Sequence, residues 1–370
     1  MAAIKTSIAK IKGWYEHYES RIASVSLILG FIFDALLLKR VDTLLENFFI
    51  VLHLIGAAVG IIVLNIFENN VVKGKVSELA RTRWHFWSII VIQFMFGGLL
   101  SKYLVFYFRS ATLATSWPFM LMLVLAFALN ERMRHHYSRL SFQVSFLFLS
   151  IYAFVIYILP VLMHRIGNDV FILSGLVSLL VLGIFLVLLW LITREHFVRS
   201  RWIILSSVLS LFVGINILYF TNLIPPIPLS VKDAGVYHSI SRAENGMYQV
   251  VGEPKTWRDF FHSSSVVHAA KGQQVYVYTA IFSPTNLNTT ILHEWQYYNE
   301  QRKEWMTVST VPLSVIGGRD EGFRTYSVKA NVFPARWRVN VKTLQGKYIS
   351  RVRFVVEYTN EPLHIIREMK

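Results

Sequence analysis

No cysteine occurs anywhere in the chain. That absence excludes disulfide bridges, thiolate metal sites and cysteine nucleophiles together. Charge is scarce as well. Asp, Glu, Lys and Arg make up 16% of the 370 residues, against about a quarter in an ordinary soluble domain. The shortage is uneven, because long apolar runs fill 22–220 whereas 229–370 has the polarity of a soluble region. Also missing are the G-x-S-x-G elbow, H-E-x-x-H, the Walker loop and the dinucleotide glycine pattern, so no reaction is legible. His238, His262, His268 and His293 match no ligand spacing and have no acidic cluster beside them. Neither a metal nor another cofactor is expected.

What is present is hydrophobic length. Seven segments, near 22–38, 48–67, 84–104, 111–129, 141–163, 170–192 and 202–220, are long and apolar enough to cross a bilayer. A span needs roughly 17–25 residues. With the N-terminus in the cytoplasm, 14 Lys and Arg fall on the cytoplasmic side and 5 on the other. This asymmetry sets orientation and places the C-terminal region outside, in the periplasm of a bacterium. Much of the +15 net charge is then a topology signal rather than a nucleic-acid footprint, and no nucleic acid is expected as a partner. The first twenty residues have spaced apolar positions, so no signal-peptide core is expected there. Over 1–21, Ile4, Ile8, Ile11, Trp14, Tyr15 and Tyr18 share a helical face. Two readings fit that pattern: an interfacial helix on the inner leaflet, or an extension of the first span.

Polar residues inside spans are costly and point to function by default. Asp34, His53 and Asn216 all fall in the outer third of the bilayer under this topology. Either they line a polar pocket open to the periplasm, or they pair locally and only set helix packing. Gly56-Ala-Ala-Val-Gly60 is a small-residue face, read first as packing within the chain and second as a dimer contact. No inverted repeat and no chain of intramembrane carboxylates supports transport.

Residues 221–235 form the exit from the last span. Pro225, Pro226 and Pro228 cannot continue a helix and favour a stiff, polyproline-like strut, with Gly235 allowing the turn into the first strand. From 236 to 370, short alternating runs separated by turn residues predict about seven or eight strands. This spacing suggests a β-sandwich of immunoglobulin type. A helix is conceivable only around 255–262, and Ser263–Ser265 reads as a loop. Asn245-Gly246 marks a hairpin turn. In the last hairpin Trp337, Val339 and Val341 alternate with Arg338, Asn340 and Lys342, and Val352, Phe354 and Val356 with Arg351 and Arg353. One face builds core and the other is basic. The basic face could meet lipid phosphates or an anionic envelope polymer, or it could be an ordinary solvated face.

The exit Pro225-Pro226-Ile227-Pro228-Leu229, then His293-Glu294-Trp295, Arg324-Thr325-Tyr326-Ser327 and Trp337-Arg338-Val339 resemble an uncharacterised bacterial inner-membrane family, one catalogued as a domain of unknown function. The resemblance covers about 223–357. It implies a multi-span region, a proline-rich exit and a C-terminal immunoglobulin-like domain. Physically, Trp295 and Trp337 read as core residues bridging two sheets. Arg324 and Tyr326 either cap a buried carboxylate such as Glu294 or bind a ligand.

The fold class expected is therefore a membrane all-α bundle of about seven helices (22–220) followed by an all-β immunoglobulin-like sandwich (236–370). The function expected is an inner-membrane anchored envelope protein that presents the sandwich to a partner protein or envelope glycan, with no catalysis evident. The alternative is a membrane enzyme or transporter acting on a lipid-linked substrate at the outer face. Candidate binding residues are His293, Trp295, Arg324, Tyr326, Ser327, Trp337 and Arg338, with Asp34, His53 and Asn216 as an intramembrane set. Expected partners are membrane lipid and an envelope protein or anionic glycan. The oligomeric state is not legible.

Overall fold

Long runs of Leu, Ile, Val and Phe without breakers form five helices: α1 (Leu44–Val72), α2 (Glu78–Ser110), α3 (Leu140–Met163), α4 (Asn168–Ile192) and α5 (Arg194–Phe220). The computed structural model describes residues 44–72, 78–110, 121, 124–125, 139–224, 229–244, 247–254, 265–284, 287–319, 322–359 and 363–370. All five helices are long and apolar enough to cross a membrane. Each contains one of the expected spans. The other two spans, near 22–38 and 111–129, lie outside the described residues apart from helical Leu121, Val124 and Leu125. The 1–21 segment also lies outside them. Between α4 and α5 only Thr193 is non-helical, so the residues expected as a loop before 202 are helix from Arg194 onward.

The chain forms two compact units. The first is Met1–Phe106, Phe119–Ile156 and Leu173–Ile217; the second is Tyr107–Pro118, Tyr157–Ile172 and Leu218–Lys370. Within the first, large apolar side chains are exposed along α4 (Leu176, Leu180, Ile184, Val187, Leu191) and along α5 (Trp202, Leu205, Leu209, Val213). Stripes of this size in water would be an association surface, so these helices call for an apolar surrounding. Between helices, buried Asn65 donates to Gln143 Oε1 at 3.0 Å, and Tyr103 donates to the Ser150 carbonyl at 2.7 Å.

The Gly56–Gly60 face packs within the chain. A Cβ at Gly56 would lie 2.9 Å from Met95 Sδ, and one at Gly60 would lie 2.8 Å from Ile92 Cγ1. The two glycines let α1 and α2 approach closely. Gly60→Val is therefore expected to overpack this contact at a cost of about 1–3 kcal/mol. Thermal unfolding of the detergent-solubilised chain should show a lower midpoint, and an unchanged midpoint would remove the close-packing account.

Within the second unit, eleven strands are described: β1 (Ser230–Tyr237), β2 (Ser239–Arg242), β3 (Tyr248–Gly252), β4 (Ser265–Ala269), β5 (Val275–Phe282), β6 (Thr289–Asn299), β7 (Glu304–Val315), β8 (Phe323–Lys329), β9 (Ala335–Thr343), β10 (Tyr348–Tyr358) and β11 (Ile366–Met369). They form a three-stranded sheet β1-β5-β8, a five-stranded sheet β4-β10-β9-β6-β7 and a second three-stranded sheet β11-β3-β2. All pairings are antiparallel except that of β4 with β10. β1, β4 and β11 add to the expected set. β1 starts at Ser230, inside the segment read as exit, and Gly235 pairs with Tyr278 within it rather than making a turn. The β2–β3 hairpin forms as Asn-Gly foretells, although Asn245 and Gly246 themselves lie outside the described residues.

The main core lies between the β1-β5-β8 sheet and the five-stranded sheet. Val275 and Val277 from one meet Val267, Trp295, Trp337, Val339, Phe354 and Val356 from the other. The opposite face of β5 packs on the third sheet through Tyr237, Ile240, Val250, Tyr278 and Ala280. β5 is thus covered on both faces, which is why VYVYTAIF reads as nearly continuous apolar sequence rather than alternation.

Helix ends belong to this second unit too. α5 stops where Asn222 takes a left-handed φ of 61°, a conformation Asn tolerates at helix C-termini. The β9–β10 turn, with Gly346 at φ 80°, makes specific contacts. Lys347, only 6% exposed, donates to the Tyr219 carbonyl at 2.7 Å and lies 4.0 Å from the centre of the Tyr219 ring. Burial pushes its ammonium below the ordinary lysine range.

Candidate functional site

Alternation along β6 sends His293 and Trp295 into the core and Glu294 and Gln296 to the outer face of the five-stranded sheet. Inside, His293 Nε2 lies 3.1 Å from Thr279 Oγ1 and its Nδ1 lies 2.9 Å from Ser327 Oγ. Trp295 Nε1 donates to the same Ser327 oxygen at 2.9 Å. A neutral imidazole has one donor and one acceptor nitrogen, and each hydroxyl can donate or accept, so both ring nitrogens are matched. Burial lowers the His293 pKa from its ordinary 6.5 to about 4, which keeps the ring neutral. This network ties β6 to β5 and β8 across the apolar core. A Ser–His pair invites a catalytic reading, but His293 is 0% exposed and both its ring nitrogens are engaged by Thr279 and Ser327.

The outer face of the same sheet is different. β9 presents Arg336, Arg338, Asn340 and Lys342 there, and β10 presents Arg351 and Arg353. Register places Arg353 directly opposite Arg338, and Arg351 opposite Asn340. Like charges directly opposite each other destabilise a sheet unless something compensates them. Glu294 does little of that, because Lys342 binds it at 2.6 Å and Asn340 Nδ2 donates to it at 2.8 Å. Burial alone would raise its pKa, but those hydrogen bonds and the Lys342 and Arg338 charges hold it below the usual carboxylate range.

Neutral amides hold the arginines instead. Arg338 Nε donates to Gln296 Oε1 at 2.7 Å, and Arg351 Nε donates to Asn340 Oδ1 at 2.7 Å. Gln296 is anchored in turn by donating to Thr307 Oγ1 at 2.8 Å. Arg338 also lies 4.1 Å above the Trp305 ring, Arg336 4.0 Å above Tyr298 and Arg351 5.0 Å above Tyr348. Each of these rings thus carries a guanidinium over it. Burial, with the charges of Arg351 and Arg353 adding to it, pushes Arg338 down to about 10. Positive charge here is not fully compensated by the protein.

The expected site residues separate into several places. His293, Trp295, Ser327 and Trp337 are interior, and Arg338 is on the basic face. Arg324 and Tyr326 emerge on the far side of β8, where Tyr326 packs 5.7 Å from Tyr248. Arg324 faces Tyr278 rather than Glu294: burial raises the Tyr278 pKa and the Arg324 charge opposes it. In the first unit, His53 Nδ1 bonds the Phe49 carbonyl at 2.7 Å, and its ring stacks on Phe94 of α2. Asn216 donates to Tyr152 Oη of α3 at 3.2 Å and to the Phe212 carbonyl at 2.8 Å. These two therefore serve different helix pairs. Asp34, Pro225, Pro226 and Pro228 lie outside the described residues. Among the described residues no His, Asp or Glu cluster could hold a metal ion. Gln296, Trp305 and Thr307 escaped the sequence reading, since only the β6–β7 and β6–β9 registers bring them to Arg338.

No curated protein matches the chain. Among solved structures, the Pseudomonas fluorescens alkylpurine DNA glycosylase AlkC bound to DNA containing an abasic site analog is 9% identical, with 85% of this chain and 99% of that chain covered. Its TM-score of 0.22 is too low to carry any argument. Residues 288–356 match the family described as "Protein of unknown function (DUF2914)", a span that holds all of the basic face from Glu294 to Arg353.

Proposed function

We propose that this chain is a bacterial inner-membrane protein with seven spans and a cytoplasmic N-terminus. It presents an immunoglobulin-like β-sandwich in the periplasm to bind an anionic envelope glycan. The five apolar helices and the Lys/Arg asymmetry support the anchor and its orientation. One observation carries the binding role: a sheet face on which Arg336, Arg338, Lys342, Arg351 and Arg353 outnumber Glu294 and Glu300, the latter paired with Arg336, while neutral amides rather than carboxylates hold Arg338 and Arg351. Charge of one sign on one face attracts a partner of the other sign.

The test uses the full chain in nanodiscs of zwitterionic lipid. Charged oligosaccharides, whether phosphorylated or carboxylated, should bind, and neutral oligosaccharides of equal length should not. The affinity should fall as salt is raised, because exposed charges more than about 8–10 Å apart are screened at physiological ionic strength. Equal binding of neutral and charged oligosaccharides, or no binding of either, would refute the reading. A periplasm-active reporter fused to the C-terminus checks the orientation, and a silent reporter would overturn it.

A further inference from the structure

The end of α3, the start of α4 and the end of α5 belong to the same compact unit as the β strands. Ile166, in the turn between α3 and α4, packs against the β cluster that holds Ile281, Ile291, Val341 and Ile349. Its carbonyl accepts from Gln345 Nε2 in the β9–β10 turn at 3.4 Å. Two residues on, the buried Lys347 reaches the end of α5. Its ammonium donates to the Tyr219 carbonyl at 2.7 Å and lies 4.0 and 5.3 Å from the Tyr219 and Phe220 ring centres. Tyr219 is seated on α4 in turn: its Oη donates to Asn168 Oδ1 at 3.2 Å, and its ring stacks on Phe171 with centroids 3.6 Å apart. One hairpin tip thus grips both the α3–α4 turn and the end of α5. Burying an ammonium costs its hydration unless polar partners replace the water. The last carbonyls of a helix carry partial negative charge, and an aromatic face attracts a cation, so the end of α5 supplies both. The hairpin itself does not need this side chain. Its turn is closed by the Thr343 N–H to the Lys347 carbonyl at 2.8 Å and by the Lys347 N–H to Thr343 Oγ1 at 3.2 Å.

We infer that Ile166 and Lys347 form a two-point clasp that fixes the β region on the ends of α3, α4 and α5, so that a tilt imposed on the region is passed to those helix ends. A single contact would allow the region to pivot. Two contacts on different helices, one apolar and one polar, resist rotation as well as separation. The clasp, rather than the proline exit at 225–228, sets the position of the region. This holds whatever the basic face binds, and it stands or falls separately from the glycan reading.

The absence of cysteine lets two spin labels be placed cleanly. Leu162→Cys, 65% exposed near the end of α3, and Val266→Cys, 43% exposed on β4, are labelled in the full chain in nanodiscs. Double electron–electron resonance then reads their separation, and one narrow distance distribution is expected. Lys347→Ala removes the carbonyl bond and both ring contacts while keeping the backbone of the turn, and should add a second, broader population. Ile166→Ala alters no residue of the β strands and should do the same. Near-UV circular dichroism reports whether the sheets stay folded, and Ile166→Ala decides the matter if Lys347→Ala unfolds them. Two controls should leave the distribution narrow: Lys303→Asn in the exposed β6–β7 turn, and joint replacement of Pro225, Pro226 and Pro228 by Ser. A broad distribution in the native chain would overturn the clasp. So would an unchanged distribution in either clasp variant that stays folded, or a broadening in either control as large as that of the clasp variants.

Discussion

Trp295→Ala is expected to destabilise the β region by about 3–5 kcal/mol, the usual cost of emptying a buried tryptophan site. Trp295 is fully buried and meets Trp337 and Phe354 edge-on, at centroid distances of 6.5 and 6.2 Å. Its indole also donates to Ser327, so truncation leaves both a cavity and a weakened polar network inside the core. For a region of this size the loss should lower the unfolding midpoint by about 10 °C or more. Circular dichroism of the full chain during heating reads it. Trp305→Ala is the matched control, since that ring lies under Arg338 on the outer face and should cost far less. If the two variants unfolded alike, the interior position of Trp295 would not be what stabilises the two layers.

The second large effect is acid sensitivity from His293. Its folded pKa of about 4 lies below its ordinary 6.5, so between these values the unfolded chain binds a proton that the folded chain refuses. Stability is therefore full above about pH 6.5 and is lost as pH falls toward 4. At 1.36 kcal/mol per unit the total is about 3 kcal/mol, and no discount for solvent applies because the ring is wholly buried. Denaturant midpoints across pH 4.5–6.5 should show that slope in the native chain. His293→Asn should flatten it, even though the variant starts lower for want of one hydrogen bond. Glu294 does not confound this window, because its folded pKa is lowered and its contribution is lost at more acidic pH. A parallel slope in both proteins would assign the acid sensitivity elsewhere.

Much of this molecule was legible before its structure. The spans covered by α1 to α5 follow from hydrophobic length, which is a one-dimensional property. The β6, β9 and β10 strands follow from period-two alternation, and that same alternation sorted Trp337, Val339 and Val341 inward and Arg338, Lys342, Arg351 and Arg353 outward. Local turn chemistry located the β2–β3 hairpin. The start of the β region at Ser230 was missed, because Ser-Val-Lys-Asp-Ala-Gly is a poor strand sequence. It is held in place by pairing with β5, which supplies the apolar surface it lacks.

The grouping of functional residues was not legible, and here the sequence reading joined side chains that the fold separates. His293, Trp295 and Ser327 share an interior network, Arg324 and Tyr326 face a third sheet, and Arg338 faces outward. Arg324 lies on β8 and Glu294 on β6, in different sheets, so Glu294 pairs with Lys342 and Asn340 while Arg324 meets Tyr278. Composition, span length and alternation determine that the chain is part apolar bundle and part β, and that one sheet face is basic. Which arginine faces which, and that Gln296 and Asn340 hold two of them away from the carboxylate, depends on strand register. Register is set by contacts more than forty residues apart along the chain, as between Gln296 and Arg338. Only the folded sheet resolves those long-range choices.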